Sequence, residues 1–182
     1  MALHSTSSSG ADAARRRRAQ AARKFQPAEV KLLLVAEAPP SALDRYFYFE
    51  DVREQDSLFR YVSRMLIPVE PTRENKGELL ARLRDKGVFL IDLSSDPLDG
   101  APLARFVPDL IARARALEPE KVILIKATVY DAAFAALREA GLPVVDERVP
   151  FPGSGQKKRF EVAFGRALAD SWQRSLRSSE SG

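Results

Sequence analysis

The chain has no cysteine, one histidine and one tryptophan in 182 residues. Without cysteine, disulfides, thiolate-bound zinc, iron–sulfur clusters and cysteine nucleophiles are all excluded. The single histidine is His4, in a serine-rich leading segment. Imidazole is therefore missing from the acid–base chemistry and metal ligation open to the rest of the chain. No apolar run approaches the roughly 18 residues of a membrane span, so no membrane partner is expected. A secretory signal is not expected either, because the leading segment has no apolar core. A site must then be built from Asp, Glu, Lys, Tyr, Ser, Thr and the backbone; no metal and no cofactor is expected.

The net charge is +4 and the isoelectric point is near 9.5, but the excess is localised. Residues 1–24 carry six basic side chains, Arg15, Arg16, Arg17, Arg18, Arg23 and Lys24, against Asp12. The remainder holds 23 basic and 24 acidic residues. It is nearly neutral, so bulk charge names no ligand for it. The arginine run predicts a disordered basic tail over 1–25, able to turn helical on a polyanion. Its Arg-rich, Ser-rich, acid-poor composition also fits an organelle transit peptide. The length predicts one domain, over 26–176, with a frayed tail at 177–182. The expected setting is a cytoplasmic monomer, with association with a nucleoid left open.

Four apolar runs punctuate the domain: VKLLLVA (30–36), GVFLIDL (87–93), KVILIKA (121–127) and LPVVDERV (142–149). The first three are near-continuous, as in strands buried on both faces of a parallel sheet. The fourth is charged at its end and suits an edge. Helical patterns lie between and after them, at Ser57–Leu66, Lys76–Lys86, Leu103–Leu117 and Val129–Ala140, the last preceded by Thr128 as N-cap. A final helix, from about Lys158 to Leu176, carries Phe160, Phe164, Leu168 and Trp172 as its buried stripe. This alternation predicts an α/β fold, a three-layer α/β/α sandwich on a mostly parallel four-stranded sheet. Ligands of such sheets bind beyond the carboxyl ends of the strands.

The residues at those ends are the site candidates. Glu37 follows the first strand, in AEAPPSALDRYFYFED; it either positions a water or caps a helix. The loop behind it holds Tyr46, Phe47, Tyr48 and Phe49, which either stack a planar ligand or plug the core. Asp92 lies inside an apolar strand, where a carboxylate must be hydrogen-bonded or paired. It either meets a ligand or ties down the loop that follows. Lys126 ends the third strand and either neutralises Glu37 or Asp92, binds phosphate, or extends to water. After the fourth run comes PFPGSGQKKRF, with Ser154, Gln156 and the basic cluster Lys157, Lys158 and Arg159. Positive charge at a helix start opposes the helix dipole, which favours a phosphate-binding role over a decorative one.

Taken in order, AEAPP, the aromatic loop, FLIDL and PFPGSGQKKRF resemble the uracil-DNA glycosylase superfamily, over roughly residues 30–170. The resemblance implies a DNA partner and hydrolysis of an N-glycosidic bond. It implies Glu37 as the water-positioning acid, Phe47 or Phe49 as the ring that stacks on an extruded base, and Asp92 where the family has a base-reading Asn. Lys126 would contact the base, and Ser154 to Arg159 would lie in the DNA-binding loop. The chain differs from the family in having Ala36 and Pro40 in place of motif glycines and Phe151 near the place of the motif histidine. An ionised Asp92 accepts but does not donate a hydrogen bond, so a uracil carbonyl fits poorly unless that carboxyl is protonated. The same fold also admits a nucleic-acid-binding module without chemistry, or an enzyme acting on free nucleosides or nucleotides.

Overall fold

Leu32 to Ala36 is uninterrupted apolar sequence, suited to a strand covered on both faces. In the structure, a computed structural model describing residues 5–52, 56–153 and 155–179, with side chains from 9 to 169 among them, it forms β1 (Leu32–Ala36). Every residue of β1 is buried. β2 (Val88–Asp92) pairs with it in parallel from Leu32↔Val88 to Ala36↔Asp92. β3 (Val122–Leu124) pairs in parallel on the other side, from Leu33↔Val122 to Val35↔Leu124. The sheet order is β2-β1-β3.

The expected fourth strand is not formed. Residues 142–149 touch the sheet only at two parallel bridges, Val122↔Val144 and Ile125↔Val149. The charged residues between those bridges pair with neighbours instead of extending the ladder. Asp146 accepts from the Tyr130 hydroxyl at 2.6 Å, and Arg148 pairs with Asp131 at 2.6 Å. The sheet therefore has three strands among the described residues.

The helices are α1 (Ser5–Lys24), α2 (Ser57–Leu66), α3 (Lys76–Asp85), α4 (Val107–Ala116), α5 (Ala127–Glu139) and α6 (Lys157–Ser179). They flank the sheet, with α2 packed on α3 and α6, and α4 packed on α5. A 3-10 turn, Leu103–Phe106, takes the front of the helix expected over 103–117. Pro108 then sits in the first turn of α4, where its missing N–H costs nothing. Gly87 turns the chain from α3 into β2 at φ +77, where a Cβ would lie 2.8 Å from the Lys31 side chain; only glycine meets both demands. On α6, Phe160 and Phe164 are fully buried and stacked, and Leu168 is half-buried. Trp172 and residues 180–182 lie outside the described side chains and residues respectively.

From Ser5 to Lys24 the leading segment is a docked helix rather than a disordered tail. Of the basic side chains on α1, Arg15 and Arg18 pair with Asp96, and Lys24 pairs with Glu50. Arg17 donates to the Leu43 carbonyl at 3.1 Å and lies 4.4 Å above the Phe49 ring. Phe25 then anchors the end of the helix in the core. The arginine run is therefore largely occupied by the domain's own acids, carbonyls and rings. No described helix is long and apolar enough to cross a membrane.

Candidate functional site

β2 and β3 lie on opposite sides of β1, so the chain's connections diverge at the carboxyl ends of the strands. Such a switch point leaves a crevice. Here it is a cleft of about 460 Å³, lined by Ala36 to Pro40, Arg45, Tyr46, Phe47, Asp56, Leu90, Asp92, Lys126 and Phe151. Leu90 and Asp92 share one face of β2, as residues two apart on a strand must. Ala36 is opposite Asp92 in register, and its small side chain leaves room beside the carboxylate.

Glu37 emerges from β1 at the cleft wall. One carboxylate oxygen takes the Lys126 ammonium in an ion pair, and the other accepts from the Thr128 hydroxyl at 2.5 Å. Of the roles open to Lys126, neutralising Glu37 is the one the structure contains. Its backbone stands at φ +87, a region costly for a side-chain-bearing residue and stable only where the surroundings enforce it. The enforcing contacts are local. Lys126 N–H donates to the Val149 carbonyl at 2.8 Å, and its own carbonyl accepts from Val129 and Tyr130 N–H. α5 thus begins at Ala127 with Lys126 as its cap. Thr128, expected as the N-cap, gives its hydroxyl to Glu37.

Asp92 is half-buried at the end of β2. No described residue donates a hydrogen bond to its carboxylate. Burial, followed by the negative charge of Asp56, pushes it up to about 7, while Arg113 and Arg18 act against the shift. Asp56 caps α2, accepting from Leu58 N–H at 2.7 Å, and burial raises it too. Arg113 donates to the carbonyls of Asp92 and Leu93 at 2.9 and 3.0 Å, so it holds the backbone of this strand end rather than its carboxylate.

The aromatic loop plugs the core. Tyr46, Phe47, Tyr48 and Phe49 are all buried and packed edge to face on one another. The Tyr48 hydroxyl donates to the Leu90 carbonyl at 2.8 Å and accepts from Leu90 N–H at 2.7 Å. It thereby satisfies the outer edge of β2, which would otherwise present open pairing groups. Lys76, wholly buried, donates to the Tyr46 carbonyl at 3.1 Å. Of the expected stacking rings, Phe47 lines the cleft, whereas Phe49 turns toward α1, under Arg17. Phe49 is therefore removed from the cleft set, because the docked helix claims its ring.

A second, more open groove of about 1010 Å³ adjoins the cleft, sharing Lys126 and Phe151 with it. Gln156, Lys158, Arg159, Arg148, Arg166 and Val162 line it. The expected nucleic-acid loop is thus divided. Gln156, Lys158 and Arg159 face the groove, whereas the Lys157 ammonium lies 5.8 Å from the centre of the Tyr61 ring. Ser154 lies outside the described residues. Phe151 is 39% exposed on the ridge between cleft and groove.

Comparison with known proteins gives no match. No family model, no curated protein and no solved structure matches this chain. The site therefore has to speak through its own chemistry. Among the described residues, no cluster of His, Asp and Glu could hold a metal ion. The cleft combines an acid locked in an ion pair, a second acid poised near neutrality and a cationic groove alongside. Sequence reasoning missed Asp56, Arg113 and Arg18. Asp56 carries a legible N-cap signal, Asp-Ser before an apolar run, but nothing local to it announces a cleft position.

Proposed function

We propose that the protein is a diverged relative of the uracil-DNA glycosylases, a three-layer α/β/α domain that hydrolyses the N-glycosidic bond of a damaged or deaminated base in DNA. The observation that carries this reading is the pair of unlike carboxyls at one cleft. Glu37 is held by Lys126 and Thr128, while Asp92 is pushed up to about 7. Carboxyls whose environments separate them in this way take acid and base roles in glycosidic chemistry.

In the proposed step, Glu37 holds a water below C1′ of the nucleoside. The C1′–N bond breaks with its electron pair passing to the base, and neutral Asp92 gives that base a proton. The water oxygen bonds to C1′, and its proton passes to Glu37. A protonated Asp92 also removes the objection to a carbonyl-bearing base, since it then donates. Phe47 forms one wall of the base pocket. The groove beside it, with Lys158 and Arg159, suits the phosphate backbone, and Phe151 offers a ring for an unstacked base.

The test is incubation with oligonucleotides carrying uracil, hypoxanthine, xanthine or alkylated bases, followed by cleavage at abasic sites. Product from at least one, abolished by Glu37→Gln, supports the reading. No product from any of them at enzyme excess overturns it. A second reading, a binding module without chemistry, is favoured by one observation: both Glu37 oxygens are already engaged. It predicts salt-dependent DNA binding with no product. Turnover of free nucleosides or nucleotides without DNA would point instead to a small-molecule enzyme.

A further inference from the structure

The basic helix α1 lies far from the cleft in sequence, yet its buried arginine reaches the loop that leaves β2 after Asp92. Arg18 is 8% exposed. Its guanidinium donates to the Ser95 carbonyl at 3.2 Å and to Asp96 at 3.1 Å. Arg15 reinforces the same carboxylate with a 3.0 Å bond from Nε. These contacts seize the loop that leaves β2 directly after Asp92. The inner side of that loop is sewn to β1 by Leu93 N–H to the Ala36 carbonyl and Ser94 N–H to the Glu37 carbonyl. The loop is therefore held between Glu37 on one side and α1 on the other.

We infer that Arg18 is a positioning residue for the cleft, fixing the loop after β2 and setting the electrostatic environment of the Asp92 carboxyl. Arg18 touches no reacting atom in the proposed chemistry; it acts through Ser95, Asp96 and its charge. Asp92 is faced by several charged or titratable groups. Arg18 comes from α1, Tyr46 and Tyr48 from the aromatic loop, Asp56 from the cap of α2 and Arg113 from α4. Glu37, Arg45 and Lys126 line the same cleft. Arg113 and Arg18 are the cations that oppose the upward push of burial and Asp56. Arg113 is committed to main-chain carbonyls of β2 and the residue after it. Arg18 arrives from a separate element, α1, and is bonded to the loop rather than to the strand.

The experiment is carboxyl 13C NMR of the full chain with labelled aspartate, the Asp92 signal being assigned with Asp92→Asn. Removing the charge in Arg18→Met moves the Asp92 midpoint upward by about half a pH unit or more. Arg18→Gln, which keeps most of the stem and an N–H donor, does the same and answers the question where Arg18→Met does not fold. Arg18→Lys returns the midpoint toward that of the parent protein. An unchanged or lowered midpoint in folded Arg18→Gln overturns the inference. The meaning of the shift for catalysis rests on the glycosidic reading. The titration itself is read without substrate, so a protein inactive on every base still decides the role of Arg18.

Discussion

The ammonium of Lys126, at the turn from β3 into α5, closes an ion pair on Glu37, at the end of β1. The pair joins two strands that are adjacent in the sheet but distant in sequence, and it springs from a residue with a strained backbone. Strain of this kind persists where the surrounding structure over-determines it. Here the result is an acid with a fixed orientation at the cleft wall.

Glu37→Gln tests that orientation directly. The amide oxygen still accepts from either Lys126 or Thr128, so the fold is retained and the melting temperature changes little. Loss of the carboxylate as a proton acceptor lowers cleavage of the responsive oligonucleotide by about 10²–10⁴-fold. Single-turnover rates at enzyme excess are the measurement. An equal rate in the variant removes Glu37 from the chemistry.

Asp92 makes stability depend on pH in a stated direction. Its folded value, about 7, lies above the ordinary value of 3.8, so the native state holds a proton that the unfolded chain releases. That stabilisation is fully present below about pH 4 and is lost as pH rises through about 7. Asp92→Asn removes this contribution. It is expected to stabilise the protein at pH 8 relative to the parent by on the order of 2 kcal/mol. Urea unfolding of both proteins at pH 5 and pH 8 is the check.

Asp56 raises Asp92 through its charge while serving as the cap of α2. Asp56→Asn keeps a good cap and removes the charge. The Asp92 midpoint should fall, and any acid-dependent limb of the cleavage rate should move to lower pH with it. By contrast, Asp56→Ala should cost about 1 kcal/mol of stability from the lost cap. Carboxyl NMR and thermal unfolding separate the two effects.

The groove makes an electrostatic prediction. Lys158→Ala and Arg159→Ala should each weaken binding to a single-stranded oligonucleotide and reduce the salt slope by about 0.7. Arg148, already paired with Asp131, should matter less. Phe151→Ala should lose roughly 1–3 kcal/mol of binding with no change of slope, since stacking is not ionic. Fluorescence anisotropy over a salt series resolves these terms.

Much of the fold was legible because burial patterns are local. Ser57–Leu66 is a helix with the bounds its apolar spacing predicts, and the three aliphatic runs are the three strands. The fourth run misled because Val144 and Val149 do reach the sheet, while the Asp-Glu-Arg between them follows partners on neighbouring elements. The arginine run misled for a related reason. Charges in a row read as a solvated tail when their partners lie elsewhere, and Asp96 stands 78 residues from Arg18.

The primary structure set the chemical alphabet of this protein. With no cysteine and one leading histidine, its cleft is built from carboxylates, amines, hydroxyls and rings. It also determined which edge of the sheet carries Glu37, Asp92 and Lys126, because strand polarity follows from alternation of strand and helix. Tertiary structure alone decided how those groups act on one another. Whether an acid is ionised or neutral depends on the burial and charges brought around it, and those come from residues far along the chain. Glu37 is paired because Lys126 and Thr128 arrive across the sheet. Asp92 is raised by burial and then by the charge of Asp56, with Arg113 of α4 and Arg18 of α1 acting against that shift.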